Sequence, residues 1–141
     1  DFLRELEYRH PEKVRSIIKY DRDLSKRIYA AADVFLMPSK SEPCGLAQMV
    51  ACRYGTLPVV RETGGLADTV RSCQAGQGNG NGFTFANYNE YDMLYTIGQA
   101  VAVYRDNREF YAQVQKNGMT DDFSWGASAR SYRNIYASIV G

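Results

Sequence analysis

Histidine is almost missing from this chain. His10 is the only one, and it sits in a charged segment that reads as solvated. Chemistry built on a nucleophile–histidine pair or on a histidine-rich metal site therefore has little to draw on. Cysteine is sparse as well, limited to Cys44, Cys52 and Cys73. Their number is odd and their spacings match no zinc pattern, so neither a closed disulfide framework nor a structural zinc site is expected. Reduced thiols in a cytosolic setting fit better, with Cys52 read as a small buried hydrophobe and Cys73 as a loop neighbour. A charge excess is lacking too: 17 basic against 16 acidic residues give +1. That removes the electrostatic case for nucleic acid or an anionic membrane. No apolar run approaches a membrane span, and no signal-peptide pattern opens the chain. The first residue is Asp1 rather than Met, which reads as a piece excised from something longer.

What is present reads as one soluble globular domain over residues 1–141, long enough to bury a core. The 11 tyrosines offer both packing area and a polar tip, which suits a core or a carbohydrate surface equally. The apolar residues switch between two periods. Phe2, Leu3 and Leu6 predict a short helix ending before Pro11, and the β-branched run 14–20 predicts a strand. Leu24, Ile28 and Ala31 share one helical face. Residues 34–37 form a continuous apolar run stopped by Pro38, the pattern of a strand buried on both faces of a parallel sheet. Residues 45–54 predict a buried helix closed by Gly55, and 57–60 the next strand. Gly64 and Gly65 turn the chain into a helix over 66–70. The stretch 74–81 carries Gly76, Gly78 and Gly80 and reads as a flexible connector, since it neither follows a clear strand nor opens a helix. A short edge strand at 83–85 comes next. One helix is then marked by Leu94, Ile97, Val101 and Tyr104, and a second covers 107–116. A closing amphipathic helix over about 124–140 carries Trp125, Ala129, Tyr132, Tyr136 and Ile139. Repeated strand–helix units with short connections imply an α/β fold, a Rossmann-like parallel sheet flanked by helices.

In such sheets ligands sit at the carboxyl ends of the strands. Glu42 follows one predicted strand, and Thr63, Gly64 and Gly65 follow the next, so both belong at the same edge. The run Ser41-Glu42-Pro43-Cys44-Gly45-Leu46-Ala47-Gln48 puts a carboxylate just before a glycine and a helix start. A helix start offers free N–H groups and positive dipole to an anion. A carboxylate only accepts hydrogen bonds, which suits sugar hydroxyls. This is a layout for a sugar held beside a phosphate. Glu42 is the leading candidate, with an exposed loop acid as the plain alternative. Cys44, Gly45, Leu46 and Ala47 act through backbone N–H groups in this reading. For the turn 63–65, lining the cleft and serving as a tight turn with Thr63 as a helix cap stand level. Asp68 complements a helix start, and Arg53 and Arg61 read as surface residues more readily than as phosphate ligands.

This run, with 53–61 and Thr63-Gly64-Gly65-Leu66-Ala67-Asp68, resembles the donor-sugar loop of bacterial glycogen synthases and plant starch synthases. The resemblance extends from about Tyr20 to Tyr136. It implies the carboxy-terminal portion of the nucleotide-sugar-binding domain, itself the carboxy-terminal domain of a two-domain, GT-B retaining glucosyltransferase. Such an enzyme moves glucose from ADP-glucose, or less readily UDP-glucose, to the non-reducing end of an α-1,4-glucan. It further implies that Glu42 grips the donor glucose, that the amides of Cys44 and Gly45 touch that sugar, and that those of Leu46 and Ala47 receive the distal phosphate. Tyr20 then lies by the nucleotide base, with ordinary packing as its alternative. The position where many relatives of this architecture carry a second Glu is Val50, a departure that glycogen and starch synthases share. No cofactor and no metal are implied beyond the nucleotide sugar. The remaining cationic and acceptor groups, and a facing amino-terminal domain, are expected outside these residues, so residues 1–141 alone are expected to be inactive. The setting implied is the cytoplasm, or the plastid in a plant. Two alternatives stay open: another retaining transferase of this architecture, such as a sucrose synthase-like enzyme, and a non-catalytic carbohydrate- or nucleotide-binding module.

Overall fold

The computed structural model describes residues 1–73 and 78–140. Along the chain run α1 (Phe2–Arg9), α2 (Arg22–Ala31), β1 (Val34–Met37), α3 (Ala47–Tyr54), β2 (Leu57–Arg61), α4 (Gly65–Thr69), β3 (Phe83–Phe85), α5 (Glu90–Asp106), α6 (Arg108–Thr120) and α7 (Trp125–Val140). Side chains that prefer to bond their own backbone set several helix starts. Asp21 accepts from the Leu24 N–H, Asn89 from Asp92 and Asn107 from Phe110, at 2.8–3.0 Å. Asn107 also closes α5, so α5 and α6 meet at one residue. Gly55 ends α3 in the left-handed region at φ +79°, and the next N–H, from Thr56, returns to the Ala51 carbonyl at 2.9 Å.

The three strands lie parallel in the order β1-β2-β3. Val34 faces Leu57 across one ladder, and Val59 faces Phe83 across the other. β2 is the central strand and is buried from Leu57 to Val60. It tolerates Pro58 because Leu57 uses its N–H on the β1 side, towards Asp33, which turns Pro58 towards β3. On that side the ladder starts only at Val59. The period of two sends alternate residues to opposite faces. Leu57, Val59, Phe83 and Phe85 pack with Ala100, Tyr111 and Val114 of α5 and α6. Val60 packs on the other face with Leu66 and Val70. Each such side chain taken fully out of water contributes about 1.5–3 kcal/mol before entropy is counted. The parallel α/β architecture is the one read from the sequence.

Several elements differ from the sequence reading. The run 14–20 forms no strand. Among the described residues no backbone pairs with it, Ile17 and Ile18 stay exposed, and the Ser16 N–H goes to the Glu7 carboxylate at 3.2 Å. Tyr20 therefore ends no strand. β1 is an edge strand rather than one buried on both faces, and Leu36 remains 40% exposed. Gly45 lies outside the helix that was expected to begin with it, because α3 starts at Ala47. On α2, Ile28 is exposed, as is Leu94 on α5. The buried positions of α5 are Thr96 and Ala100. The closing helix is present as α7, yet none of its residues is buried and Trp125 is 90% exposed. Among the described residues Tyr132, Ile135, Tyr136 and Ile139 of its apolar stripe are all exposed, so spacing identified the helix and not a buried face.

Of the stretch 74–81, residues 74–77, Gly76 included, lie outside the described residues. The rest is pinned rather than a flexible connector. Asn117 on α6 donates to the carbonyls of Gly78 and Gly80, both at 2.8 Å. Asn81 is buried, donates to the Thr69 carbonyl and the Asp121 carboxylate, and accepts from the Arg71 N–H. Arg71 pairs in turn with both Asp121 oxygens. Among the described residues, no helix is long and apolar enough to cross a membrane.

Candidate functional site

The loop leaving β1 and the loop leaving β2 press against each other at the carboxyl end of the sheet. The Gly65 N–H donates to the Glu42 carbonyl at 3.1 Å. A Cβ on Gly64 would run into that same carbonyl oxygen, and one on Gly65 into the Cys44 carbonyl oxygen, both well inside van der Waals contact. Only two consecutive glycines let the backbones come this close. The structure thus brings Glu42, Cys44 and Gly45 together with Gly64 and Gly65, as the strand order required. Thr63 does not cap α4 through its side chain. Its carbonyl accepts from the Leu66 N–H, and Gly64 is the N-cap residue.

Gly45 adopts φ +69°, in the region that disfavours side chains, and Leu46 follows as the residue before α3. No side chain caps α3, unlike α2, α5 and α6. Leu46 and Ala47 have no hydroxyl or carboxylate to offer it. The first N–H groups of α3 are therefore left for something else to satisfy. Glu42 is half-buried, and none of the ion pairs among the described residues includes it. A carboxylate, an exposed Leu46 and an uncapped helix start lie within six residues of chain. Chemically, this surface can accept hydrogen bonds from hydroxyl groups and donate them to an anion.

Two residues whose part the sequence did not reveal hold this surface in place. Arg61, at the end of β2, donates to the carbonyls of Ser39 at 2.9 Å, Lys40 at 2.6 Å and Ala86 at 3.3 Å. It ties the segment ahead of Glu42 to the chain leaving β3. Arg53 likewise donates to backbone carbonyls, those of Met119 and Asp121. Among the described residues neither arginine makes the surface ion pair expected of it, and the nearby carbonyls leave no sequence signal. The second residue is Gln48, fully buried in the first turn of α3. Tyr20 is 92% exposed. His10 is exposed at the end of α1.

A cavity of about 300 Å³ opens near this end of the sheet, lined by Pro38, Phe85, Tyr88, Asn89, Glu90 and Met93. It takes no residue from the 42–47 segment. Among the described residues no cluster of three or more His, Cys, Asp and Glu could hold a metal ion.

The three thiols are placed very differently. Burial pushes Cys52 up to about 11, with the nearby Asp121 adding to it, and burial pushes Cys73 up to about 11 as well. Cys44 is exposed beside the helix start. At pH 8 only about a thousandth of the Cys52 and Cys73 thiols would be ionised. Alkylation with iodoacetamide followed by peptide mapping should label Cys44 first. Labelling of Cys52 at the same rate would contradict its burial in α3.

Comparison with known proteins adds to this geometry. The model of the family "Glycosyl transferases group 1" matches residues 3–119. A glycogen synthase of Desulfitobacterium hafniense is 52% identical over 130 residues, covering 92% of this chain and 28% of that protein. One of Bacillus cereus is 48% identical over 139 residues, covering 99% of this chain and 29% of that protein. The solved catalytic domain of starch synthase IV from Arabidopsis thaliana, bound to ADP and acarbose, superimposes with a TM-score of 0.79 at 40% identity. That match covers 96% of this chain and 29% of the solved one. The chain thus spans under a third of the length of the curated relatives it matches.

Proposed function

Because the chain belongs to the glycosyl transferases group 1 family, we propose that it supplies the donor-sugar and distal-phosphate loop of a glycogen or starch synthase. The whole protein transfers glucose with retention from ADP-glucose to the non-reducing end of an α-1,4-glucan, with UDP-glucose the less favoured donor. One observation carries this reading: Glu42 and the uncapped start of α3 are held by the turn 63–65 at one end of the sheet. Relatives that are glycogen synthases, and a structural neighbour bound to ADP, support it.

In this reading Glu42 accepts hydrogen bonds from hydroxyls of the donor glucose. Such bonds to a charged acceptor are stronger than neutral ones. The Cys44 and Gly45 amides contact the same sugar, and the Leu46 and Ala47 amides meet the distal phosphate at the positive end of α3. Tyr20, fully presented to solvent, offers its face to the nucleotide base. The turn 63–65 acts by fixing the loop. No cofactor or metal is assigned a part. The further phosphate and acceptor groups are assigned to residues beyond 1–141, and the enzyme to the cytoplasm, or to a plastid in a plant.

The test is an incubation of the intact enzyme with glycogen and radiolabelled ADP-glucose, beside a parallel run with UDP-glucose. Label should enter the polymer, faster from ADP-glucose, and be released by an amylase specific for α-1,4 links. No incorporation from either donor would end this reading. Residues 1–141 alone should incorporate nothing, because closure of two domains over the donor completes such a site. Incorporation by that piece would place the catalytic groups inside it and overturn the division proposed.

A further inference from the structure

Resting on the donor-loop reading above, we infer that Gln48 and Thr69 are positioning residues that lock the 42–45 loop to the turn 63–65 through a buried strut. Gln48 is fully buried, an unusual place for an amide unless it is bonded. Its Nε2 has two protons, given to the Gly45 carbonyl at 2.8 Å and to Thr69 Oγ1 at 3.0 Å, and the Cys44 carbonyl at 3.3 Å shares one of them. Thr69 Oγ1 in turn donates to the Gly65 carbonyl at 2.6 Å. The direction of the chain follows from proton count. A hydroxyl has one proton, and Thr69 spends it on Gly65, so towards Gln48 it is an acceptor. All three neighbours of that amide nitrogen are then acceptors, which fixes the orientation of the Gln48 side chain. One pair of side chains thus joins the carbonyls of Cys44 and Gly45 on the first loop to that of Gly65 on the second.

The strut also shapes Gly45. A Cβ there would lie 2.6 Å from Gln48 Oε1, a buried oxygen with no hydrogen-bond partner among the described residues. Leaving that oxygen unbonded carries a cost, and Gln48 is nevertheless held against the glycine whose amide faces the donor. Behind Thr69 the network continues. The Thr69 carbonyl accepts from Asn81, and Asn81 bonds Asp121 at the end of α6. The loop that grips the sugar is therefore braced from behind by fixed polar groups that do not touch it. Small displacements of such a loop weaken contacts made to the reacting end of a substrate.

The experiment uses the intact enzyme and separates donor from acceptor. Thr69→Val keeps the shape and removes the hydroxyl, Thr69→Ser keeps the hydroxyl, and Gln48→Glu puts an acceptor where the donor nitrogen stood. KM for ADP-glucose, KM for glycogen, kcat and the melting temperature are measured for each, with Glu42→Ala as a reference. For Thr69→Val and Gln48→Glu the KM for ADP-glucose should rise roughly tenfold, the KM for glycogen should stay unchanged, and Thr69→Ser should restore the wild-type donor KM. The inference is overturned if Glu42→Ala loses activity while both variants keep the wild-type donor KM. It is equally overturned if they only melt earlier and lose kcat with both KM values unchanged, the signature of general destabilisation. Wild-type kinetics for Glu42→Ala would instead remove the donor-loop reading, and the inference with it.

Discussion

Glu42→Ala is expected to lower kcat/KM for ADP-glucose by roughly 30- to 1,000-fold, a loss of about 2–4 kcal/mol in transition-state stabilisation. A charged acceptor bonded to a sugar hydroxyl contributes about 1.5–3 kcal/mol. The further loss comes from geometry, since the same bond sets where the anomeric carbon points. The melting temperature should hardly move. Glu42 is half-buried, belongs to none of the ion pairs among the described residues, and ties the loop to Gly65 through its backbone carbonyl, which Ala retains. Glu42→Gln keeps one acceptor oxygen and should fall between the two. Steady-state kinetics on the intact enzyme with glycogen as acceptor decide the matter. Wild-type kcat and KM for Glu42→Ala would take Glu42 out of the site.

The meeting of the two loops was legible in the sequence because it follows from few facts. Short apolar runs at 34–37 and 57–60 read as parallel strands, and in a parallel sheet the segments after successive strands emerge at one edge. What held those loops in place was not legible. Gln48 sits in an apolar helix pattern, and nothing in its neighbours announces that its partners are main-chain carbonyls and a hydroxyl 21 residues away. Arg61 was open to the same misreading, since a basic residue at a strand end gives no sign that it will meet the carbonyls of Ser39 and Lys40. The glycine pattern of 74–81 pointed to a connector, while Asn81 turned out to be buried and bonded to three different elements of backbone and side chain. Tertiary hydrogen bonds leave no periodicity, so pattern reading passes over them.

The opposite failure occurred at 14–20. Composition there favours a strand, yet a strand exists only when a neighbouring backbone completes its hydrogen bonds, and composition says nothing about the neighbour. The closing helix α7 shows the same limit at its own level. Its spacing predicts a half-buried amphipathic helix, and the apolar face is present, but no residue of the helix is buried.

Gly65→Ala is expected to destabilise by about 3 kcal/mol, the upper end of the usual cost of overpacking. Gly65 is the first residue of α4 and has no positive φ, so Ala is not excluded by its backbone conformation. The objection is steric alone. The added carbon would overlap the Cys44 carbonyl oxygen, and a backbone atom cannot swing aside as a flexible side chain can. Relief requires the two loops to separate. Separation would break the Gly65-to-Glu42 hydrogen bond and pull the Gly65 carbonyl from Thr69, so donor binding should be lost along with stability. Gly98→Ala provides the contrast. Gly98 lies mid-helix in α5 with nothing within 4 Å of the added carbon, so the change only removes the helix penalty of glycine and should stabilise by about 0.5–1 kcal/mol. Urea unfolding of both variants, with ADP-glucose titration of the intact enzyme, makes the comparison. Near-wild-type stability for Gly65→Ala would show that the loops have room to part, and the close approach on which the site depends would then be wrong.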